Sequence, residues 1–112
     1  MTGTHFAEGQ ILFREGDRAD SVFRVLSGVV DVLRELDGDP ILLGTVRAGQ
    51  FIGEMGVVEN RPRSATARAA SDVEVEILSP TEFFDQIAGS AVQAGQLLRF
   101  ALEVRIVETF AV

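Results

Sequence analysis

Glycine recurs at short intervals through the first half of the chain, and this spacing restricts the fold more than any other feature. From position 9 onward the glycines of this half are Gly9, Gly16, Gly28, Gly38, Gly44, Gly49, Gly53 and Gly56. Between them lie short β-rich runs: Gln10–Phe13, Ser21–Leu26, Val29–Leu36 and Ile41–Val46. Short strands separated by turn signals every 8–12 residues or so are typical of antiparallel barrels and sandwiches. The length of 112 residues fits one such domain.

Two further patterns refine this β prediction. Asp37-Gly38 is expected to form a tight hairpin turn, because glycine accepts a positive φ at low steric cost. Pro40 then stands at the start of the next strand, where its missing N–H does least harm. Val73–Leu78 alternates apolar and acidic residues, which predicts a strand with one buried face and one wet face.

Helical signals begin directly after this strand. Ser79, Pro80 and Glu82 suit the N-cap, N1 and N3 positions of a helix, which is predicted to run to about Ala88. The residues expected on its inner side are Phe83, Phe84 and Ile87.

The last part of the chain predicts a second helix, from about Ala91 to the C-terminus, after a break at Gly89-Ser90. Its apolar residues cover more than one face, whereas an exposed helix needs only one apolar stripe. We therefore expect the helix in residues 89–112 to pack against two different surfaces.

Composition excludes several classes of function. The formal net charge is −7, so the surface opposes the many phosphate contacts by which DNA is bound. The absence of cysteine excludes disulfides and cysteine-ligated metals, and His5, the single histidine, cannot build a metal site alone. No apolar run approaches the ~20 residues of a membrane span, and no signal-peptide pattern is present, so the cytoplasm is the expected location.

Residues 49–67 contain the one segment suited to a small anionic ligand. Gly53-Glu54-Met55 predicts a tight turn into a short helix, whose free N–H groups favour anions. Arg63 follows, and its planar guanidinium can donate two parallel hydrogen bonds to an anionic oxygen pair. A carboxylate repels phosphate, but Glu54 would accept a hydrogen bond from a ligand hydroxyl such as a ribose 2′-OH. Each residue alone is common on surfaces; together in a glycine-rich β context they favour a binding site.

This segment resembles the phosphate-binding cassette of the cyclic nucleotide-binding domain family. That family includes the regulatory subunits of cyclic-AMP-dependent kinase, the bacterial catabolite activator and nucleotide-gated channels. The matching motifs are Phe51-Ile52-Gly53-Glu54-Met55, Arg61-Pro62-Arg63-Ser64-Ala65-Thr66, Gly9-Gln10-Ile11-Leu12-Phe13, Glu15-Gly16-Asp17 and Phe23-Arg24-Val25-Leu26-Ser27-Gly28. The similarity extends over residues 6–87, and the final helix matches in position.

The resemblance implies a role for each matching residue. It assigns Arg63 to the cyclic phosphate and Glu54 to the ribose 2′-OH. The residues whose backbone groups would complete the site are Gly53, Met55, Ser64 and Ala65, and the Ser64 hydroxyl is a further contact to the phosphate or the base. Gly56 and Val57 stand where the family usually has Ala and Leu, which predicts a less well ordered short helix.

In this family the last helix closes over the base, which suggests a lid. The residues available for it are Arg99, Leu102 and Arg105. An arginine can stack on a purine face, and the alternative is that both arginines are solvated charges on an apolar helix.

The sequence thus predicts an α+β fold: an antiparallel β-roll (a double-stranded β-helix, jelly-roll-like) with a short cassette helix and C-terminal helices. Residues 1–88 would form the roll, the cassette and the following helix, and residues 89–112 the lid or hinge helix of the same domain. The expected function is regulatory binding of cyclic AMP, or else cyclic GMP, transmitted by movement of the last helix. No enzyme activity, cofactor or metal is expected. The expected partners are the nucleotide and an unidentified effector, with self-association through the last helix and neither direct nucleic-acid nor membrane contact.

Other classes of protein fit this sequence less well. A cupin-like metalloenzyme needs clustered histidines, and a DNA-binding regulator needs a recognition helix beyond the roll. Ser64 has no histidine partner that could activate it as a nucleophile. The main alternative is a protein-interaction module that retains the fold without the nucleotide, and the presence of both Glu54 and Arg63 argues against it.

Overall fold

The structure, a computed structural model, describes residues 3–88, which divide into two units at Pro80. The first unit holds the strands and one short helix. Its elements are β1 Thr4–Phe6, β2 Ile11–Phe13, β3 Val22–Ser27, β4 Val29–Leu36, β5 Asp39–Arg47, β6 Phe51–Ile52, α1 Glu54–Glu59, β7 Thr66–Ala69 and β8 Val73–Leu78. In the described part of the second unit a helix, α2, runs over Pro80–Ala88.

The strands form two four-stranded antiparallel sheets, which confirms the predicted antiparallel roll. One sheet has the order β1-β8-β3-β6 and the other the order β2-β7-β4-β5. Neighbours within a sheet are mostly distant in sequence, since among the strands of residues 3–88 only β4 and β5 are joined by a hairpin. The fold therefore depends on long-range pairing, as Greek-key and jelly-roll arrangements do.

The core of the first unit comes from both sheets. Its buried members are Phe23, Val25, Val30, Ile52, Ala67, Ala69, Val73 and Val75. Partly buried residues packed against them are Phe6, Leu12, Phe13 and Val46. The members on β7 are alanines, whereas those on β3 and β8 are the larger phenylalanine and valines, so the cluster combines small and large side chains.

The β4–β5 hairpin confirms the predicted turn. Asp37 and Gly38 both have positive φ, at 54° and 85°, the backbone of a two-residue turn that suits the twist of the strands. Pro40 is the second residue of β5 and pairs with Glu35. Strand β5 lies at the edge of its sheet and has one neighbouring strand only, which is the kind of position where a proline is tolerated.

Strand β8 has the predicted bounds, but its faces are not divided as predicted. Val73 and Val75 are buried, while Ile77 is 44% exposed and Glu76 only 9% exposed. Leu78, on the same face as Glu76, is buried too. Both faces of this strand carry buried residues, and simple alternation does not apply to such a strand.

Helix α2 begins at Pro80 as its capping signature predicts, and it corrects one detail. Phe83 and Ile87 are buried, whereas Phe84 is 43% exposed. Residues four apart share a helix face, but Phe84 is rotated about 100° from Phe83 and so lies outside the buried stripe. No helix within residues 3–88 is long and apolar enough to cross a membrane.

Gly28, in the turn between β3 and β4, is required by both its backbone angle and its close neighbours. It has a φ of +89°, and a Cβ there would collide with the Asp72 carbonyl oxygen and the Val73 side chain. Gly9 has the same φ with nothing within 4 Å of such a Cβ. We expect Gly9→Ala to cost about 1–2 kcal/mol of unfolding free energy for its left-handed backbone, and Gly28→Ala roughly 2 kcal/mol more for the collision. Urea unfolding of both variants measures the difference, and equal losses would contradict it.

Candidate functional site

The segment between β6 and β7 carries the chain from one sheet to the other. It leaves the first sheet at an edge strand, β6, and enters the second at β7, which lies between β2 and β4. Glu54 stands at the beginning of this crossover and Arg63 near its end. The two residues singled out from the sequence are therefore brought to one region by the exchange of sheets.

The start of the crossover requires glycine. Gly53 caps helix α1 in the left-handed conformation, with a φ of 82°, and makes no side-chain cap. A Cβ at this position would collide with Nη1 of Arg63. Glycine is thus needed both for the backbone angle and for the approach of the arginine.

Glu54 is a buried carboxyl with one unsatisfied oxygen. The residue is 4% exposed, and its Oε2 has no hydrogen-bond partner. Burial raises the pKa of Glu54 to about 7, an effect that a hydrogen bond from its own backbone N–H and the positive charge of Arg63 only partly oppose. A buried acceptor without a partner is costly, which makes this oxygen a natural partner for a ligand donor.

Arg63 is a buried cation held by protein oxygens. It is 4% exposed; Nη1 donates to the Gly53 carbonyl oxygen at 2.7 Å and Nη2 to the Ser21 carbonyl oxygen at 2.7 Å. The guanidinium carbon lies 4.2 Å from the ring centroid of Phe13. Its Nε is buried without a hydrogen-bond partner. Within residues 3–88, Glu54 Oε2 and Arg63 Nε are the buried side-chain atoms left in this state.

The backbone of Arg63 is also fixed on both sides. Its N–H donates to the Asp17 carbonyl oxygen at 2.8 Å, and its carbonyl accepts from the Gly16 N–H at 2.8 Å. Burial lowers the pKa of Arg63, while the charges of Asp20, Asp17 and Glu54 oppose that change. Arginine is not deprotonated in proteins, so the site holds a permanent positive charge.

The other predicted residues of the cassette lie beside this pair. Met55 and Ala65 are buried and Ser64 is exposed. Helix α1 forms over six residues despite Gly56, where a Cβ would come within 2.5 Å of the Ala19 Cβ. The predicted lid residues Arg99, Leu102 and Arg105 lie outside the described residues.

Two features of residues 3–88 bear on other kinds of site. No group of three His, Asp or Glu side chains is placed there to hold a metal ion. A cavity of about 530 Å³ is present, but none of the predicted site residues lines it. The residues that line it are Arg14, Glu15, Gly16, Leu33, Arg34, Glu35, Pro40 and Thr66.

Sequence reasoning missed the residues that hold Arg63. Ser21 supplies a carbonyl from a position 42 residues earlier, and nothing in its local sequence marks it. Phe13 belongs to one of the matching motifs, but its sequence context indicates only a strand residue.

Comparison with known proteins decides the family. Residues 4–90 match the cyclic nucleotide-binding domain family. The chain belongs to this family. The motifs on which the resemblance rested all lie within the matched range.

The chain is similar to parts of longer proteins of different kinds. The chain is 41% identical over 69 residues to an uncharacterised ABC transporter ATP-binding protein of Mycobacterium bovis, covering 61% of this chain and 21% of that protein. It is 32% identical over 105 residues to a cGMP-dependent protein kinase of Caenorhabditis elegans, covering 92% of this chain and 13% of the kinase. The chain thus spans about a fifth or less of the curated relatives named here.

Solved structures share the fold. A cAMP-bound EAL enzyme superposes with a TM-score of 0.78 at 27% identity, covering 98% of this chain and 29% of that one. A cGMP-bound form of the same enzyme gives the same values. The regulatory domain of Toxoplasma gondii PKA with cAMP has a TM-score of 0.75 at 25% identity, covering 90% of this chain and 38% of that one.

The raised pKa of Glu54 makes stability depend on pH. The folded chain binds this proton more tightly than the unfolded chain, whose carboxyl has the ordinary value of 4.5, so Glu54 lowers stability as pH rises from 4.5 through about 7. We expect Glu54→Gln to gain on the order of 3 kcal/mol relative to wild type between about pH 4.5 and pH 8. Chemical unfolding at the two pH values measures this gain, and the exposed Glu8→Gln serves as control. A gain that is the same for both variants would contradict the assignment.

Proposed function

We propose that this domain binds a cyclic nucleotide, with Arg63 on the cyclic phosphate and Glu54 on the ribose 2′-OH. The observation that carries the proposal is the pair of buried, unpartnered atoms, an acceptor at Glu54 Oε2 and a cationic donor at Arg63 Nε. A cyclic nucleotide presents the complementary pair, a hydroxyl donor beside an anionic phosphate. Binding would satisfy both groups at once, whereas a simple anion would leave Glu54 unpaired and repelled.

The rest of the cassette supports the same ligand. Glycine at position 53, small side chains at 64 and 65 and buried Met55 leave main-chain groups close to the charged pair. We propose cyclic AMP as the preferred nucleotide, with cyclic GMP as the second candidate. The domain acts by binding and not by catalysis, and its expected location is the cytoplasm.

The alternative is a protein-interaction module that has the fold without the nucleotide, and one observation favours it. Both Nη atoms of Arg63 already have carbonyl acceptors within the protein, so the arginine is held in place without a ligand. A bound phosphate would have to use Nε–H or an N–H of the Nη atoms that these carbonyls leave over, or displace one of these bonds. Direct binding measurements separate the two functions.

Removing the arginine tests the phosphate contact. Hydrogen bonds to charged groups contribute roughly 1.5–3 kcal/mol, so Arg63→Ala should bind cyclic AMP about ten- to a hundredfold more weakly in calorimetric titration. Arg61→Ala is the matched control, because this neighbouring side chain is 67% exposed and should leave the affinity within about twofold. Cyclic GMP is titrated in parallel to rank the ligands.

Removing the 2′-OH from the ligand tests the role of Glu54 within the same experiment. The wild-type chain should bind 2′-deoxy cyclic AMP roughly tenfold more weakly than cyclic AMP, whereas Glu54→Ala should bind the two ligands about equally. Equal discrimination by both proteins would exclude Glu54 as the 2′-OH partner. Absence of binding by a folded wild-type chain would favour the interaction module.

We further propose that occupancy is transmitted through residues 89–112, in which Arg99, Leu102 and Arg105 are the candidates for covering the base. A ligand shifts such an equilibrium only by its different affinity for two states, here the predicted helix over the base and the helix elsewhere. The effector would be a further domain or a partner protein, and self-association through this helix is a second route.

Hydrogen exchange tests this transmission. Saturating cyclic AMP should increase the protection of amides in residues 89–112, while strands distant from the cassette, such as β1, should change little. Identical protection of residues 89–112 with and without nucleotide would count against transmission through this segment.

A further inference from the structure

The stretch from Phe13, the last residue of β2, to Ser21, just before β3, contacts both the backbone and the guanidinium of Arg63. Asp17 and Gly16 bind the arginine backbone on its two sides at 2.8 Å. Ser21, at the end of the segment, accepts from Nη2 at 2.7 Å through its carbonyl and lies 3.4 Å from it through its hydroxyl. Phe13, at the beginning, covers the guanidinium itself. One short stretch of chain thus contacts the arginine at its backbone, at one nitrogen and over its plane.

Phe13 is placed as an aromatic support for the cation. The guanidinium carbon lies 4.2 Å from the Phe13 ring centroid and 5.9 Å from that of Phe23. The two rings are 5.6 Å apart and inclined at 42° to each other, so each restrains the other. A cation over an aromatic face is attracted by the ring quadrupole, and more strongly where water is excluded, as around Arg63.

The Phe13 ring restrains a rotation of the guanidinium that the hydrogen bonds leave free. The carbonyls of Gly53 and Ser21 define where the two Nη atoms lie. Rotation of the guanidinium about the line between those atoms would still swing Nε out of place. An aromatic face on one side of the plane opposes that rotation, so the unpartnered Nε–H keeps one direction.

We propose that Phe13 is a positioning residue for the nucleotide phosphate, acting through the plane of the Arg63 guanidinium. This inference rests on the proposed function and adds to it a residue outside the cassette. Phe13 touches no ligand in this role. It lowers the cost of ordering the arginine when phosphate binds.

Three substitutions separate this role from core packing. Phe13→Leu keeps an apolar side chain but has no aromatic face, and Phe13→Tyr restores the face. Phe6→Leu is the matched control, because Phe6 is likewise partly buried against the same core cluster. Thermal unfolding of each variant establishes that it is folded before binding is measured.

The first measurement needs no nucleotide. The Nε–H proton resonance of Arg63, assigned by its disappearance in Arg63→Lys, should show a ring-current shift in wild type. We expect that shift to be lost in Phe13→Leu, with faster exchange of the proton with water, and to be retained in Phe13→Tyr and Phe6→Leu.

The second measurement is calorimetric titration with cyclic AMP. Phe13→Leu should bind about three- to thirtyfold more weakly than wild type, with Phe13→Tyr close to wild type and Phe6→Leu unaffected. An Nε–H resonance unchanged in Phe13→Leu, or an affinity loss no larger than that of Phe6→Leu, would overturn the positioning role. If wild type bound neither cyclic nucleotide, the proposed function would fail, and the resonance alone would then decide whether Phe13 orients the guanidinium.

Discussion

The Arg63 side chain ties the two sheets together where the chain crosses between them. Its backbone leads into β7 of the second sheet, while its nitrogen atoms bind the carbonyls of Gly53 and Ser21, which adjoin β6 and β3 of the first. A buried cation is costly unless its hydrogen bonds are made, and here backbone oxygens make them. Glycine at position 53 is required by this arrangement, because a Cβ there would collide with Nη1 of Arg63.

Glu54 and Arg63 leave hydrogen-bonding capacity unused, which the ligand of the proposed function would take up. Glu54 and Arg63 lower each other's electrostatic cost, yet each retains a buried atom without a partner. An optimised internal ion pair would use those atoms on each other. The chain instead bears the cost of an unsatisfied carboxyl with a pKa near neutrality. Groups that are held ready in this way at a site bind a matching ligand with little reorganisation.

Local signals account for what was predictable from the sequence. The Asp37-Gly38 turn, the bounds of β8 and the start of α2 at Pro80 follow from residues adjacent in the chain. The short strands β1, β6 and β7 have too few residues for a periodic pattern, and long-range pairing defines them. The predicted burial was wrong in β8 and at Phe84 of α2. The periodic pattern of a strand or helix shows which residues share a face, but it does not show which faces other elements cover.

The same distinction holds within the site. Glu54 and Arg63 lie in two neighbouring motifs of one segment, residues 49–67, so the sequence alone pointed to them. The residues that contact Arg63 are distant in sequence. The carbonyl of Ser21 and the ring of Phe13 belong to positions 42 and 50 residues earlier in the chain, and no local sequence pattern predicts such contacts. The family resemblance pointed to the residues that are proposed to contact the ligand. It did not point to the residues that hold those side chains in position.

The close approach at Gly56 has a consequence for how this domain can change over evolutionary time. Any side chain at position 56 would press against the Ala19 Cβ and, at 3.1 Å, against the Arg61 carbonyl oxygen. Side-chain volume at position 56 is therefore coupled to the path and volume of the β2–β3 connection at position 19. Relatives with alanine in the helix must make room in that connection, so the two positions should drift as a pair although 36 residues lie between them.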